Sequence, residues 1–201
     1  MKARTVLVLT VVVILGVAGV YLGVQWADAN YEYQGSLIEP AMPAFPIALA
    51  ESDGELFSLQ AHQGKVVMLY FGYTNCPDLC PATLSDFKKI HDSLGERADE
   101  IEFVMVTIDP ERDTLEKTAQ YVSAFDSSFI GLSASETDLQ DIWDGYFVFR
   151  AKSGADSAAG YLMDHTTRTY VIDKQGNLRL TYPFGIEYQA MLLDVEHLLD
   201  E

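Results

Sequence analysis

The sequence predicts an α/β sandwich built on a mixed central sheet, with one apolar helix ahead of it. Three observations carry this prediction. Residues 66–73 and 101–108 are near-continuous apolar runs, as expected of central strands covered on both faces. Strand-like and helical spacings alternate after residue 46, and the chain closes with a turn-linked strand pair and an amphipathic helix.

Taken in order, Lys2 and Arg4 precede a charge-free apolar run at residues 6–24. At about 1.5 Å per residue it nearly matches a hydrocarbon core of roughly 30 Å. Basic residues on its N-terminal side predict residues 1–5 in the cytoplasm and everything from Gln25 onward outside, which in a bacterial cell would be an inner-membrane anchor with the domain in the periplasm. Ala27-Asp28-Ala29 offers the alternative of a cleaved signal peptide, although the run exceeds the usual signal core. Either way the domain is exported to a compartment where thiols meet oxidants. Residues 25–45 read as a linker, since the stretch up to Pro46 has three prolines and little periodicity. Residues 46–201 read as one domain.

Charge excludes one class of partner. Of the 13 basic residues two precede the apolar run, which leaves 11 against 30 acidic side chains, a net of −19. Nucleic acid is ruled out, because phosphate binding needs patches of Lys and Arg. Such a surface suits ordinary solubility, or a basic partner such as a c-type cytochrome.

Within the domain, residues 46–50 and 56–59 flank Ser52-Asp53-Gly54 as a hairpin. Leu84, Phe87, Ile90 and Leu94 predict a helix over 81–94 that stops at Gly95. A helix is expected over 115–125 and a short strand at 129–133. Ser135, with Asp138 three residues on, opens a further helix. Strands are expected at 147–151, 169–173 and 178–182, and the last helix at 186–199. No internal repeat is visible.

The only two cysteines, Cys76 and Cys80, lie where the strand at 66–73 hands over to the following helix. Pro77 and Pro81 put the pair across a loop and a first helical turn, where the dipole and unpaired N–H groups stabilise thiolate. A disulfide stapling so short a ring would add little stability. Redox chemistry or a soft metal suits the pair better, and a metal would need a third ligand. His62, His91 and His197 read as surface residues. His165 lies in a loop leading into a strand, where the residues alone favour a hydrogen-bonded loop histidine over a ligand. Met163 reads as a packing residue and Asp78 as exposed.

Three motifs resemble those of the Sco/SenC family of copper-binding proteins. They are Gly64-Lys65 with the strand and Phe71-Gly72-Tyr73-Thr74-Asn75-Cys76-Pro77-Asp78-Leu79-Cys80-Pro81, then Asp109-Pro110-Glu111-Arg112-Asp113-Thr114, then Asp164-His165-Thr166. The Gly-rich start common in the family is not evident near Ala44-Phe45-Pro46. The resemblance implies a thioredoxin-like fold in which Cys76, Cys80 and His165 bind one copper ion, as Cu(I) or Cu(II), with Asp164 orienting His165 or tuning the site. It also implies delivery to the copper-bearing subunit of cytochrome c oxidase, with another copper chaperone or a c-type cytochrome as a further partner. The alternative it leaves is a periplasmic thiol-disulfide oxidoreductase. CxxxC spacing, and a histidine before the late strand, favour metal over redox.

Overall fold

The computed structural model describes residues 2–29, 31–157 and 160–201. Met1 of the expected cytoplasmic segment and Asn30 of the expected tether lie outside them. The chain divides into two units, residues 1–33 and 34–201. The first is the helix α1 (Lys2–Ala29), whose segment Val6–Gly23 is long and apolar enough to cross a membrane.

The second unit is built on a six-stranded sheet. Its strands in spatial order are β1 (Ser36–Pro43), β10 (Asn177–Pro183), β9 (Arg168–Ile172), β4 (Val66–Gly72), β5 (Ile101–Thr107) and β6 (Ile130–Leu132). β4, β5 and β6 run parallel, while β9 is antiparallel to β4 and β10 antiparallel to β9, so the sheet is mixed as expected. Every residue of β4 is buried, which follows from its apolar run and central place. β2 (Ala48–Ala50) and β3 (Leu56–Ser58) form the expected small hairpin.

The helices flank the sheet. α2 (Leu79–Leu94) buries Leu84, Phe87, Ile90 and Leu94 and ends at Gly95, whose φ of 58° suits glycine. A 3₁₀ helix, Gly95–Glu100, leads to β5. In α3 (Leu115–Ser123) the Thr114 side chain caps the N-terminus by accepting from Lys117 N–H. Ser135 caps α4 (Glu136–Gly145): its oxygen accepts from Asp138 N–H, and its hydroxyl donates back to the Asp138 carboxylate at 2.6 Å. α5 (Tyr188–Asp200) packs on α2 and β4, and α3 on β5 and β6.

Two expectations need correction. The linker assigned to 25–45 extends too far, because Ser36–Pro43 is a strand paired with β10 and the unit begins at Gln34. β1 is an edge strand whose prolines and register shift hide any alternation, and edges tolerate such residues. Buried Asp194 on α5 fastens its start, accepting from the Gln34 and Gly35 N–H groups and from the Tyr182 hydroxyl. The second correction concerns the expected strand at 147–151 and the loop after it. A two-stranded sheet of β7 (Arg150–Ser157) and β8 (Gly160–His165) stands there, separate from the main sheet. His165 is therefore the last residue of a strand rather than a loop residue. Small and polar residues around Gly154 and Gly160 gave no period-2 signal to predict it.

Candidate metal centre

β4 delivers the chain to the centre, and Gly72 makes room for it. A Cβ at Gly72 would stand 2.6 Å from the Tyr70 ring and 3.1 Å from Cys80 Sγ, so only glycine leaves the thiol its place. Cys80 lies in the first turn of α2 and is buried, while Cys76 in the loop ahead is half-buried. Cys80 N–H donates to Cys76 Sγ at 3.3 Å, and the Tyr70 hydroxyl donates to Cys80 Sγ at 3.5 Å.

The two thiols are driven apart in acidity. A hydrogen bond from Cys80 is the main cause that brings Cys76 down to about 4; His165 and the Cys80 and Asp78 N–H groups add to it, against burial. Cys80 moves up, because its proton is held in that bond and because it is buried. The arrangement therefore favours a thiolate on Cys76, facing the cavity, with the thiol proton kept on Cys80 behind it.

His165 closes the other side. Its Nδ1 lies 2.8 Å from the Thr166 carbonyl oxygen, which can only accept, so Nδ1 carries a hydrogen and Nε2 is the nitrogen left to face Cys76 or a ligand. The ring stands edge-on to Tyr70 and Tyr73, with centroids 6.3 and 5.9 Å away. Cys76, His165, Asp78 and Asp164 line one cavity of about 350 Å³. The partner of His165 Nδ1 is the Thr166 carbonyl, while Asp164, expected to orient His165 or tune the site, is exposed on the cavity wall. Met163 is buried as expected, and its N–H donates to the Tyr73 hydroxyl at 3.3 Å.

The other histidines lie elsewhere, partly buried rather than fully on the surface. His62 reaches the Ser58 carbonyl and Glu102, and His197 reaches Glu201. Among the described residues, the one group whose three ligand atoms all fall within 4.8 Å of one another is His91, Asp92 and Asp126. Lys88 bridges both of its carboxylates and offsets one of their two charges, so the cluster is already partly satisfied by the chain itself. Cys76 and His165 thus share one cavity, with Cys80 buried behind Cys76, and the three do not close to that spacing.

The turn after β5 supplies residues to which the sequence reading gave no role. Buried Asp113 accepts from Thr74 N–H (2.9 Å), from the Thr74 hydroxyl (2.5 Å) and from the Thr107 hydroxyl (2.8 Å), while Lys117 lies 3.3 Å away. Three carboxylates and an arginine within the motif 109–113 were the available signal.

The family profile described as SCO1/SenC matches residues 40–200. An SCO2-like protein of Rickettsia prowazekii is 36% identical over 132 residues, which is 65% of this chain and 64% of that protein, so the match spans just under two thirds of that relative. The solution structure of apo Sco1 from Thermus thermophilus superposes with a TM-score of 0.75 at 34% identity, covering 85% of this chain and 99% of that one. The structure of Bradyrhizobium japonicum ScoI with copper bound gives a TM-score of 0.71 at 28% identity, covering 79% of this chain and all of that one. A profile match over four fifths of the chain, on this fold and with this cysteine loop, identifies the chain as a member of the SCO1/SenC family.

Proposed function

We propose that this chain binds one copper ion through Cys76, Cys80 and His165 and hands it to the copper-bearing subunit of cytochrome c oxidase during assembly of the binuclear copper centre. The observation that carries this reading is one cavity lined by Cys76 and His165, with the Cys80 N–H bonded to Cys76 Sγ so that a second, buried thiol stands directly behind the first. Two sulfurs and one nitrogen are a soft donor set, suited to Cu(I) as cargo. Loading releases the Cys80 proton, since both sulfurs bind as thiolates. The half-exposed side of Cys76 lets an acceptor thiolate replace the ligands in turn. On this reading α1 anchors the chain in the bacterial inner membrane, with residues 1–5 cytoplasmic and residues 34–201 periplasmic, and a further copper chaperone loads it.

A second reading rests on the split acidity of the cysteines. An exposed thiolate with a protonated thiol behind it is also the layout of a thiol-disulfide reductant. Cys76 S⁻ would attack a partner disulfide and release one partner thiolate. Cys80, giving up its proton, would then attack Cys76 Sγ, freeing the second partner sulfur as thiolate and leaving a Cys76–Cys80 disulfide.

A competition titration separates the two. The reduced full-length chain in detergent is titrated anaerobically with Cu(I) against a chelator, beside His165→Ala. One copper bound tightly by the wild type and lost from the variant is the expected result. Weak binding that is equal in both proteins overturns the copper reading in favour of the reductant.

A further inference from the structure

The turn at 109–113 touches both halves of the centre. On one side Asp113 holds Thr74, two residues before Cys76. On the other, Arg112 and Asp109 hold Tyr161 on β8, four residues before His165. The Arg112 guanidinium donates from Nη1 to the Tyr161 carbonyl at 2.8 Å and lies over the Tyr161 ring, 3.6 Å from its centroid. Its Nε donates to buried Asp109, whose other oxygen accepts from the Tyr161 hydroxyl at 2.8 Å. The same guanidinium is 5.8 Å from the ring of Tyr73, on the cysteine side. Among the described residues the hairpin β7–β8 has no strand pairing to the main sheet, so beyond its short link to β9 its position depends on side-chain contacts. Near its base Arg150 lies over the Trp143 ring at 3.8 Å, but that contact does not reach the cysteine loop.

Resting on the metal-centre reading above, we propose that Arg112 is a positioning residue of the site. It grips the His165 hairpin from a turn whose far end is bonded to the cysteine loop, and so sets the distance between the thiol pair and the imidazole. A lysine would not replace it, because the grip uses a planar fork with two donors and a stacking face at once. Groups that orient ligands in this way affect metal affinity by about 10- to 100-fold.

The test is a double-mutant cycle on the full-length chain in detergent, reading Cu(I) affinity by competition for wild type, Arg112→Met, His165→Ala and the double variant. Arg112→Met should lower affinity about 10- to 100-fold when His165 is present and by less than about twofold when it is already gone. An equal drop in both backgrounds, or no drop in either, overturns the proposal while leaving the ligand assignment standing. No loss in His165→Ala alone overturns the assignment and this proposal with it. Tyr161→Phe removes only the hydroxyl bond to Asp109 and decides the matter if Arg112→Met fails to fold: it should give a smaller drop with the same dependence on His165, and a drop independent of His165 counts against the proposal.

Discussion

The cysteine loop and the histidine hairpin reach the same cavity by different physical routes. The loop grows out of β4, a strand buried at every residue, and is fastened by the buried Asp113 carboxylate. The hairpin is a two-stranded sheet outside the main sheet, held by an arginine and a tyrosine that are partly exposed. The difference teaches that the sulfur half of the centre is part of the core, whereas the imidazole half is attached to it. Leaving the ligands themselves aside, damage to the supports of the first should appear as lost stability, with or without lost affinity, and damage to the supports of the second as lost affinity alone.

The largest expected effect comes from the thiols themselves. Cys76→Ser and Cys80→Ser should each abolish tight Cu(I) binding in the competition assay, and binding that persists in either would remove that residue from the ligand set. Next is Asp113→Ala, which strands the Thr74 N–H and the Thr107 hydroxyl and should destabilise the domain by about 3 kcal/mol. Followed by circular dichroism, that corresponds to roughly 6–12 °C in apparent unfolding temperature for a domain of this size. A shift under a degree or two would show that the loop does not depend on the core as argued. Gly72→Ala drives a methyl into Tyr70 and toward Cys80 Sγ, and overpacking of this kind costs about 1–3 kcal/mol. It should also weaken copper binding.

A pH profile sharpens the comparison from the sulfur side. Cys76 is held near 4 in the folded chain, against about 8.5 for an ordinary thiol. Its folded pKa is lowered, so the stability it contributes is fully present above about 8.5, declines as pH falls, and is gone below about 4. The rate at which iodoacetamide alkylates the apo protein should accordingly be nearly flat from pH 6 to 8; a tenfold rise per unit over that interval would show an ordinary thiol. The smallest expected effect is His91→Ala, which should leave copper affinity unchanged, since Lys88 already occupies the carboxylates beside it.

The same division governed what could be read in the sequence. β4, β5, α2 and the Ser135 cap were legible because an unbroken apolar run, a helical spacing and a cap pair are local signals. β1 was hidden by prolines that only an edge tolerates, and β8 by small residues around its turn. Cys76 and Cys80 stood out by scarcity, but chemistry alone left His165 a loop residue until the family resemblance raised it. The charged motif at 109–113 was visible, but the roles of Arg112, Asp113 and Tyr161 could not be read from it, because they exist only where segments some 40 to 50 residues apart meet.

The most direct test of the three-ligand centre is X-ray absorption at the copper edge on the full-length chain loaded with one equivalent of Cu(I) under reducing conditions. Two sulfur scatterers and one imidazole nitrogen per copper are expected, with the nitrogen missing in His165→Ala. A wild-type spectrum of sulfur alone, unchanged by that substitution, would contradict the account.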